Sequence, residues 1–202
     1  MGIFITIEGP NGVGKSTFIQ ELYKTLSIKS SVYLTKEPSE SDFGNYVKNN
    51  ENNLHGKSYA HLIAADRCYH VENYIIPNLT KYDIIICDRY IESSLVLQTY
   101  DGVDIDYVWK LNEEFPIPHI SVILLAQSGT LESRLSQRSE LSKFEKLLTR
   151  DLEIELYKKA YEHILTKGFK PIILSNENDD DLSKNIQIIE ESVLHLGRKN
   201  SE

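Results

Sequence analysis

The sequence predicts an α/β protein of three layers, in which helices flank a five-stranded parallel sheet. Three observations carry this prediction. Short runs rich in Ile, Val and Leu recur along the 202 residues. They show little alternation of polar and apolar positions, as is typical of strands that are covered on both faces. Each run is followed by a longer segment with helical periodicity, and this alternation favours parallel pairing through crossover connections.

The strands and helices can be placed in chain order from these patterns. We expect strands at residues 3–7, 31–35, 83–87, 120–126 and 170–174. We expect helices at residues 16–26, 59–79, 105–115, 130–137, 146–165 and 182–196. The whole chain, residues 1–202, is predicted to form one domain, with a frayed tail at 198–202.

The composition narrows the class of partner. The hydrophobic fraction is 41% and the charged fraction 26%, both ordinary for a globular protein. A formal net charge of -8 argues against a broad nucleic-acid surface, which needs the opposite sign. The apolar runs are too short to span a membrane. We therefore predict a cytoplasmic protein that binds small molecules and contacts neither nucleic acid nor membrane.

A glycine-rich loop follows the first predicted strand. The stretch GPNGVGKST at residues 9–17 has the spacing of a P-loop: Gly9, four residues, Gly14, Lys15 and Ser16. Its backbone N–H groups and the following helix N-terminus suit phosphate oxygens, Lys15 suits the β and γ phosphates, and Ser16 suits Mg²⁺. The loop predicts a P-loop NTPase fold that binds ATP with Mg²⁺. The predicted loop contacts are Asn11, Gly12, Val13, Gly14, Lys15, Ser16 and Thr17.

Two further clusters come at the ends of predicted strands. In CDRYIESS, residues 87–94, Asp88 sits where a carboxylate can serve the Mg²⁺ ion, and Arg89 can bind an acceptor phosphate. In LTKEPSES, residues 34–41, the KEP tripeptide lies on the same rim. The chain has no Asn-Lys-x-Asp element to read guanine, which argues against a switch GTPase and favours a small acceptor.

Two helical segments carry basic residues whose role the patterns alone do not decide. Arg67, in AADRCYH, is predicted to face a ligand or to be a solvated helix charge. Arg134, Arg138 and Lys143 follow the fourth predicted strand in LESRLSQRSELSKFEK. They predict a lid within about residues 136–148 that closes over the triphosphate, or else a solvated amphipathic helix.

Together these motifs resemble the thymidylate kinase family of nucleoside monophosphate kinases. The matching pieces are EGPNGVGKST, TKEPSES, AADR before a helix that ends IIPNL, DRYIESSLVLQ, LESRLSQR and the SELSKFE lid, in the family's order. The resemblance runs from Gly2 to about Leu174. It implies an ATP-dependent enzyme that converts a nucleoside monophosphate, dTMP above all, to its diphosphate. It also implies a homodimer, formed through the helices around 59–79 and 93–100.

The resemblance also implies roles for single residues. Arg67 would approach the base, Arg89 and Lys36 would bind the acceptor phosphate, and a basic lid would replace a basic loop residue, since Gly12 stands in the loop. The substrate-binding set is Glu8, Asn11, Lys36, Glu37, Pro38, Ile63, Arg67, Arg89, Ser93, Leu97 and Gln98. The catalytic set is Lys15, Asp88, Arg89, Arg138 and Lys143, with Ser16 and Asp88 serving the metal and Arg134 the cofactor.

The chain departs from the family pattern at several of these positions. Asn11 stands where the family usually has an acid, Ile63 and Leu97 where it has aromatics, and Lys36 and Lys143 where it has arginines. Lysine cannot grip a phosphate bidentately, and the lost rings remove stacking. Two alternatives therefore stay open: a kinase of another nucleotide, nucleoside or small molecule, and a nucleotide-binding protein without catalysis.

Overall fold

All five predicted strands are present in the computed structural model, which describes residues 2–199. They are β1 (Ile3–Glu8), β2 (Val32–Lys36), β3 (Ile84–Asp88), β4 (Ile120–Leu125) and β5 (Ile172–Ser175). Each lies within two residues of its predicted bounds. Of the tail predicted at 198–202, residues 200–202 lie outside the described residues, and the first two belong to the last helix.

The strands form one parallel sheet in the order β2-β3-β1-β4-β5. The central strand β1 therefore has β3 on one side and β4 on the other, and Ile7 pairs with Asp88 while Glu8 pairs with Ile123. Lys36 at the end of β2 pairs with Asp88 as well. The carboxyl ends of β1, β2 and β3 thus meet at one rim, where open α/β sheets bind their ligands.

Ten helices surround this sheet within the described part of the chain. They are α1 (Lys15–Leu26), α2 (Asp42–Asn49), α3 (Gly56–His70), α4 (Ile76–Asn78), α5 (Ile91–Tyr100), α6 (Ile105–Lys110), α7 (Ser128–Leu135), α8 (Lys143–Leu147), α9 (Arg150–Leu165) and α10 (Asp179–Lys199). A π-helical turn, Val71–Ile75, joins α3 to α4. The helix predicted at 105–115 ends at Lys110, and the one predicted from 146 begins at Arg150.

The apolar periodicity of the sequence did not predict the helices α2 and α5. The helix α2 has only eight residues, about two turns, so its apolar positions Phe43, Tyr46 and Val47 are too few to show a repeating pattern. The Ser41 hydroxyl caps it by accepting from the Gly44 N–H at 3.2 Å. In α5 the reason is different, because seven of its ten residues are buried. A helix that is enclosed on nearly every side has no polar face to contrast with an apolar one.

The alternation of side chains along β1 places the two faces of the core. Ile3, Ile5 and Ile7 pack on one face with α1 and α10 residues, while Phe4 packs on the other with residues of α3, α5 and α9. Glu8 follows Phe4 at a spacing of four, so it emerges on the α5 and α9 side at the carboxyl end of β1. Among the described residues no helix is both long and apolar enough to cross a membrane; the cytoplasmic location stays a prediction.

Candidate active site

The P-loop connects β1 to α1 as predicted, and two of its glycines are required by the backbone. Gly9 has φ 140°, and a Cβ there would lie 2.3 Å from the Leu124 carbonyl oxygen of the neighbouring strand. Gly14 precedes α1 with φ 97°, in the left-handed region. Val13 between them is 0% exposed and anchors the loop in the core. The loop therefore curves tightly around the start of α1, with backbone N–H groups on its inner side.

The outer side of the loop is held by polar side chains from the far end of the sheet. The Val13 carbonyl oxygen accepts hydrogen bonds from Asn176 Nδ2 at 2.8 Å and Arg134 Nη1 at 3.0 Å. Arg134 also donates to the carbonyl oxygens of Asn176, at 3.0 Å, and Glu177, at 2.9 Å. Arg134 thus braces the loop from outside the cleft. The sequence around Asn176 contains no pattern that predicts this contact with the P-loop.

Lys15 lies inside the curve of the loop. Its ammonium donates to the carbonyl oxygens of Gly9 at 2.7 Å and Pro10 at 3.0 Å, which leaves one of its three N–H groups for a ligand. Burial lowers the pKa of Lys15 to about 7, and the nearby positive charge of Arg89 adds to this effect. An anion in the loop would reverse the shift, because an opposite charge favours the protonated form.

Ser16 lies at the start of α1 and Asp88 at the end of β3. Both line the same cleft, and the Ser16 side chain is exposed to it. Asp88 Oδ1 is buried and has no hydrogen-bond partner among the described residues. Residues 2–199 contain no cluster of three or more His, Cys, Asp or Glu side chains arranged for a metal ion. This pair is the arrangement that Mg²⁺ uses when phosphates and water supply its remaining ligands.

Glu8 lies beneath the cleft and organises the start of α5. Its carboxylate is 0% exposed and accepts from the backbone N–H of Tyr90 at 2.5 Å and from the Ser93 hydroxyl at 2.5 Å. Burial raises the pKa of Glu8 above its usual value, against the opposing effects of the Ser93 hydrogen bond and the Arg89 charge. The structure therefore brings this predicted substrate residue next to the site without exposing it to a ligand.

Arg89 stands between the P-loop and α5. It has φ 70°, a conformation that costs energy for a residue other than glycine and is concentrated at functional sites. Its Nη1 donates to the Ser93 hydroxyl at 3.1 Å and its Nη2 to Asn11 Oδ1 at 2.7 Å. The guanidinium lines the same cleft as Lys15. Its position suits a phosphate held between the loop and α5.

A smaller pocket opens beside Arg89. Its lining residues come from the KEP segment, α3 and α5: Glu37, Pro38, Ile63, Asp66, Arg67, Arg89, Tyr90, Ser93, Ser94, Leu97 and Gln98. Eight residues of the predicted substrate-binding set are among them, whereas Glu8, Asn11 and Lys36 are not. Gln98 is 2% exposed, and its Oε1 has no hydrogen-bond partner among the described residues. Gln98 therefore contributes a buried, unpartnered acceptor to a pocket wall that is largely apolar.

Arg67 is a buried side chain of this pocket and not a solvated helix charge. It is 2% exposed, and its guanidinium donates to the Glu37 carboxylate at 2.8 Å, to Asn112 Oδ1, to the Tyr90 carbonyl at 3.0 Å and to the Ser94 hydroxyl at 2.9 Å. These four bonds occupy four of the five N–H groups of the guanidinium and leave one on Nη1. That group can serve a ligand, and the rest hold the guanidinium still.

Glu37 is shared between Arg67 and His70. Besides Arg67, its carboxylate contacts His70 Nδ1 at 3.1 Å, and His70 Nε2 in turn lies 2.6 Å from the Thr35 hydroxyl. Asp66 holds the following turn by accepting from the Ser39 N–H at 2.8 Å. Lys36 remains exposed, with its ammonium 2.7 Å from Glu40, and it lines the main cleft near Asp88. At the rim after β2, the Glu37 carboxylate is thus held by Arg67 and His70, whereas the Lys36 side chain is exposed.

The lid region divides into two parts with different surroundings. Arg138 forms an ion pair with Glu145 and lines the main cleft. Lys143 is 6% exposed, and its ammonium lies 3.2 Å from the Leu54 carbonyl oxygen and 3.6 Å from Asp101. The structure therefore brings Arg138 to the cleft and does not bring Lys143 there. Lys143 instead anchors the lid helix α8 to the loop before α3.

The P-loop and the smaller pocket open into one cleft. Five basic side chains line it, namely Lys15, Lys36, Lys48, Arg89 and Arg138, together with five carboxylates, namely Glu37, Glu40, Glu51, Asp88 and Glu145. Sequence reasoning missed several residues that support this cleft, namely Asp66, His70, Asn112, Arg150 and Glu153. Glu153 alone left a signal, because it recurs at helical spacing with the apolar positions of α9.

The comparisons with known proteins agree with this geometry. A family model described as thymidylate kinase matches residues 7–186. A probable thymidylate kinase of Pyrobaculum calidifontis is 34% identical over 206 residues, covering 97% of this chain and 100% of the relative. The chain belongs to the thymidylate kinase family. A probable thymidylate kinase of Thermococcus gammatolerans is 32% identical and covers 96% of the chain and 99% of its own length.

A solved structure supports the fold of this thymidylate kinase family member. The crystal structure of thymidylate kinase from Ehrlichia chaffeensis superposes with a TM-score of 0.70, covering 94% of this chain and 98% of that one, at 23% sequence identity. The parallel sheet flanked by helices, as predicted from the sequence, is therefore confirmed.

Proposed function

We propose that this protein uses ATP and Mg²⁺ to phosphorylate dTMP to dTDP. One observation carries the proposal beyond family membership. The P-loop and the pocket between the KEP segment, α3 and α5 open into a single cleft, and Arg89 lines both. A nucleotide bound in the pocket with its phosphate on Arg89 would point that phosphate at the end of a triphosphate held by Lys15.

The donor side would be held by the loop. Backbone N–H groups from Gly12 to Thr17 suit the α and β phosphates, and the third N–H group of Lys15 suits the β and γ phosphates. Arg134 borders this side and keeps the loop in place through Val13. Ser16 and Asp88 would hold Mg²⁺, and the unpartnered Asp88 Oδ1 fits that role. When bound, the ion neutralises charge on the phosphates.

The acceptor side would be read by Arg67 and Gln98. The edge of a thymine ring presents carbonyl oxygens beside an N–H group. A free N–H group of Arg67 and the unpartnered Oε1 of Gln98 are complementary to such an edge. Pro38, Ile63 and Leu97 would contact the faces of the ring. A buried acceptor left without its partner penalises a base that cannot donate to it.

The reaction requires the protein mainly to position the two substrates and to neutralise charge on the phosphates. An oxygen of the acceptor phosphate forms a bond to the γ-phosphorus, the bond to the β–γ bridging oxygen breaks, and ADP leaves with those electrons. The acceptor oxygen is already ionised near neutral pH, so no side-chain base is needed. Lys15, Arg89 and Arg138 would neutralise the charge that gathers on the transferred group.

Coupled measurement of ADP release with a panel of acceptors tests the proposal. The panel is dTMP, dUMP, dCMP, AMP, GMP and thymidine, and we expect the highest kcat/KM for dTMP. The variant Gln98→Leu should lose preference for dTMP, whereas Gln187→Leu, on the exposed face of α10, should not. Equal turnover of all monophosphates would contradict the specificity, and turnover of none would contradict the activity.

The homodimer belongs to the same proposal. Of the two helical regions that the resemblance implies, α5 has little surface left, since Leu95 and Val96 are at most 1% exposed. The α3 region offers more, because Tyr69 and Ile76 are 37% and 48% exposed. Light scattering after size exclusion gives the mass directly. A Tyr69→Glu, Ile76→Glu variant should shift a dimer toward the monomer, and an unchanged mass would contradict this interface.

A further inference from the structure

Glu153 is a carboxylate on a helix face that otherwise packs into the protein. On α9 the buried positions are Arg150, Glu153, Leu156, Tyr157, Ala160 and Ile164. Glu153 is 0% exposed, whereas Glu155, two residues away, is solvated and pairs with Lys159 at 2.7 Å. A buried carboxylate is costly unless its oxygens are paired. Its partners therefore show why the position holds an acid.

One oxygen of Glu153 is devoted to the P-loop. Oε1 accepts from the backbone N–H of Asn11 at 2.9 Å and from Asn11 Nδ2 at 2.8 Å. On the other side of the same amide, Asn11 Oδ1 accepts from Arg89 Nη2 at 2.7 Å. A rotated Asn11 amide would put its oxygen against the carboxylate and its NH₂ against the guanidinium. Glu153 therefore allows only one orientation of Asn11, the one that holds Arg89.

The other oxygen of Glu153 is devoted to the end of the lid. Oε2 accepts from Arg150 Nη1 at 3.2 Å, and Arg150 is 7% exposed. Arg150 Nη2 donates to the carbonyl oxygens of Glu145, at 2.9 Å, and Leu148. These carbonyls lie at the C-terminal end of α8, the helix of the lid. A continuous set of bonds thus runs from the lid through Arg150 and Glu153 to Asn11.

We infer that Glu153 is a positioning residue for the acceptor phosphate, which it orients through Asn11 and Arg89. It supplies from α9 the negative charge that the family usually carries on the loop at position 11. The loop side chain itself can then be neutral. This inference rests on the proposed function, because Arg89 is taken to bind the phosphate of dTMP.

The first test removes the charge and keeps the shape. Glu153→Gln still accepts from Asn11, but its NH₂ faces Arg150 and the charge near Arg89 is gone. We expect kcat/KM for dTMP to fall about 10- to 100-fold, with the KM for dTMP raised and the KM for ATP nearly unchanged. Glu155→Gln makes the same chemical change on the exposed face of α9 and should match the wild type.

The second test exchanges the amide of Asn11 and the carboxylate of Glu153. Asn11→Asp alone sets two carboxylates against each other at hydrogen-bond distance, and we expect it to lower kcat/KM for dTMP. Adding Glu153→Gln should then raise kcat/KM, because the acid is back on the loop and an amide faces it. The same substitution is thus expected to harm the wild type and to help Asn11→Asp. A residue with only a structural role would not reverse the sign of its effect on the KM for dTMP.

The outcomes separate the two claims. Wild-type protein that does not turn over dTMP overturns the proposed function, and the inference with it. Active wild type with an equally active Glu153→Gln overturns the inference alone, as does a loss that is the same in both Asn11 backgrounds. If Glu153→Gln does not fold, Asn11→Ala replaces it: it cuts the link to Arg89 and should raise the KM for dTMP, and an unchanged KM overturns the inference.

Discussion

Glu37 and Arg67 form an ion pair in the interior, with Glu37 Oε2 lying 2.7 Å from Arg67 Nη2 and both side chains at most 6% exposed. The pair joins the segment after β2 to helix α3 at the wall of the nucleoside pocket. Its carboxylate also contacts His70 at 3.1 Å. Removing one partner of such a pair leaves a buried charge unmatched, which costs far more than losing a surface pair.

Glu37→Gln should therefore lower the free energy of unfolding by about 3–5 kcal/mol, as measured by urea denaturation. The KM for dTMP should rise as well, because Arg67 loses the partner that holds it. Glu40→Gln is the matched control, since its pair with Lys36 is on the surface, where Glu40 is 79% exposed. Its effect on the free energy of unfolding should be much smaller, because solvent screens a surface pair. Equal stability of the two variants would contradict the prediction.

Nucleotide binding should take up protons above pH 7. Burial lowers the pKa of Lys15 to about 7, so much of the free protein carries a neutral Lys15 at pH 8, and a bound phosphate draws the proton back. Affinity for MgADP should fall by up to about tenfold per pH unit above 7. Calorimetry in buffers of different ionisation enthalpy measures the uptake directly. Lys15→Met should abolish it, and a binding heat independent of the buffer in wild type would refute it.

Glu92 should make the protein less stable as the pH rises. Burial, together with the nearby Glu8, raises the pKa of Glu92 from 4.5 to about 8. The folded state thus prefers the protonated form, and the stability linked to it is present below pH 4.5 and lost as the pH rises to 8. Glu92→Gln keeps the neutral form at every pH.

The Tm of Glu92→Gln should therefore exceed that of wild type by a margin that grows from pH 5 to pH 8, as followed by calorimetry. Glu191→Gln, at an exposed position of α10, should show no growing margin. A margin for Glu92→Gln that stays constant across this range would show that Glu92 does not titrate as described.

The two basic residues of the lid should behave differently. Arg138→Ala should lower kcat by about 10²- to 10³-fold with little change in the KM for ATP, because Arg138 lines the cleft. Lys143→Ala should mainly free the lid, since its ammonium is bound to Leu54 and lies near Asp101. Protease cleavage near residue 140 together with steady-state kinetics separates the effects. A larger fall in kcat for Lys143→Ala would restore its predicted catalytic role.

The predictable part of this protein is the part that local patterns encode. Buried parallel strands are continuous apolar runs, so all five were found from the sequence. The P-loop was found because its glycine, lysine and serine residues follow one another at a fixed spacing, with a left-handed turn at Gly14. The helix α5 was missed for the opposite reason, since burial on nearly every side removes the contrast that a pattern needs.

Contacts between distant segments account for what the sequence did not show. Arg67 is a pocket residue and not a surface charge because Glu37, Ser94 and Asn112 come together around it. Lys143 turns from the triphosphate toward a loop some 88 residues earlier, where it meets His55 at 3.0 Å. No local pattern carries such information, because each side chain's role depends on partners that only the packed helices supply.

The sequence by itself determined the sheet, the phosphate-binding loop and the order of motifs that marks a thymidylate kinase family member. The contact between Asn11 and Glu153 was decided by the tertiary structure alone. They are 142 residues apart in the chain and 2.8 Å apart in the fold. A neutral residue on the loop looked like a missing charge, but α9 packs against the loop and brings a carboxylate to it. Folding places charge by proximity in space, and the sequence records only proximity along the chain.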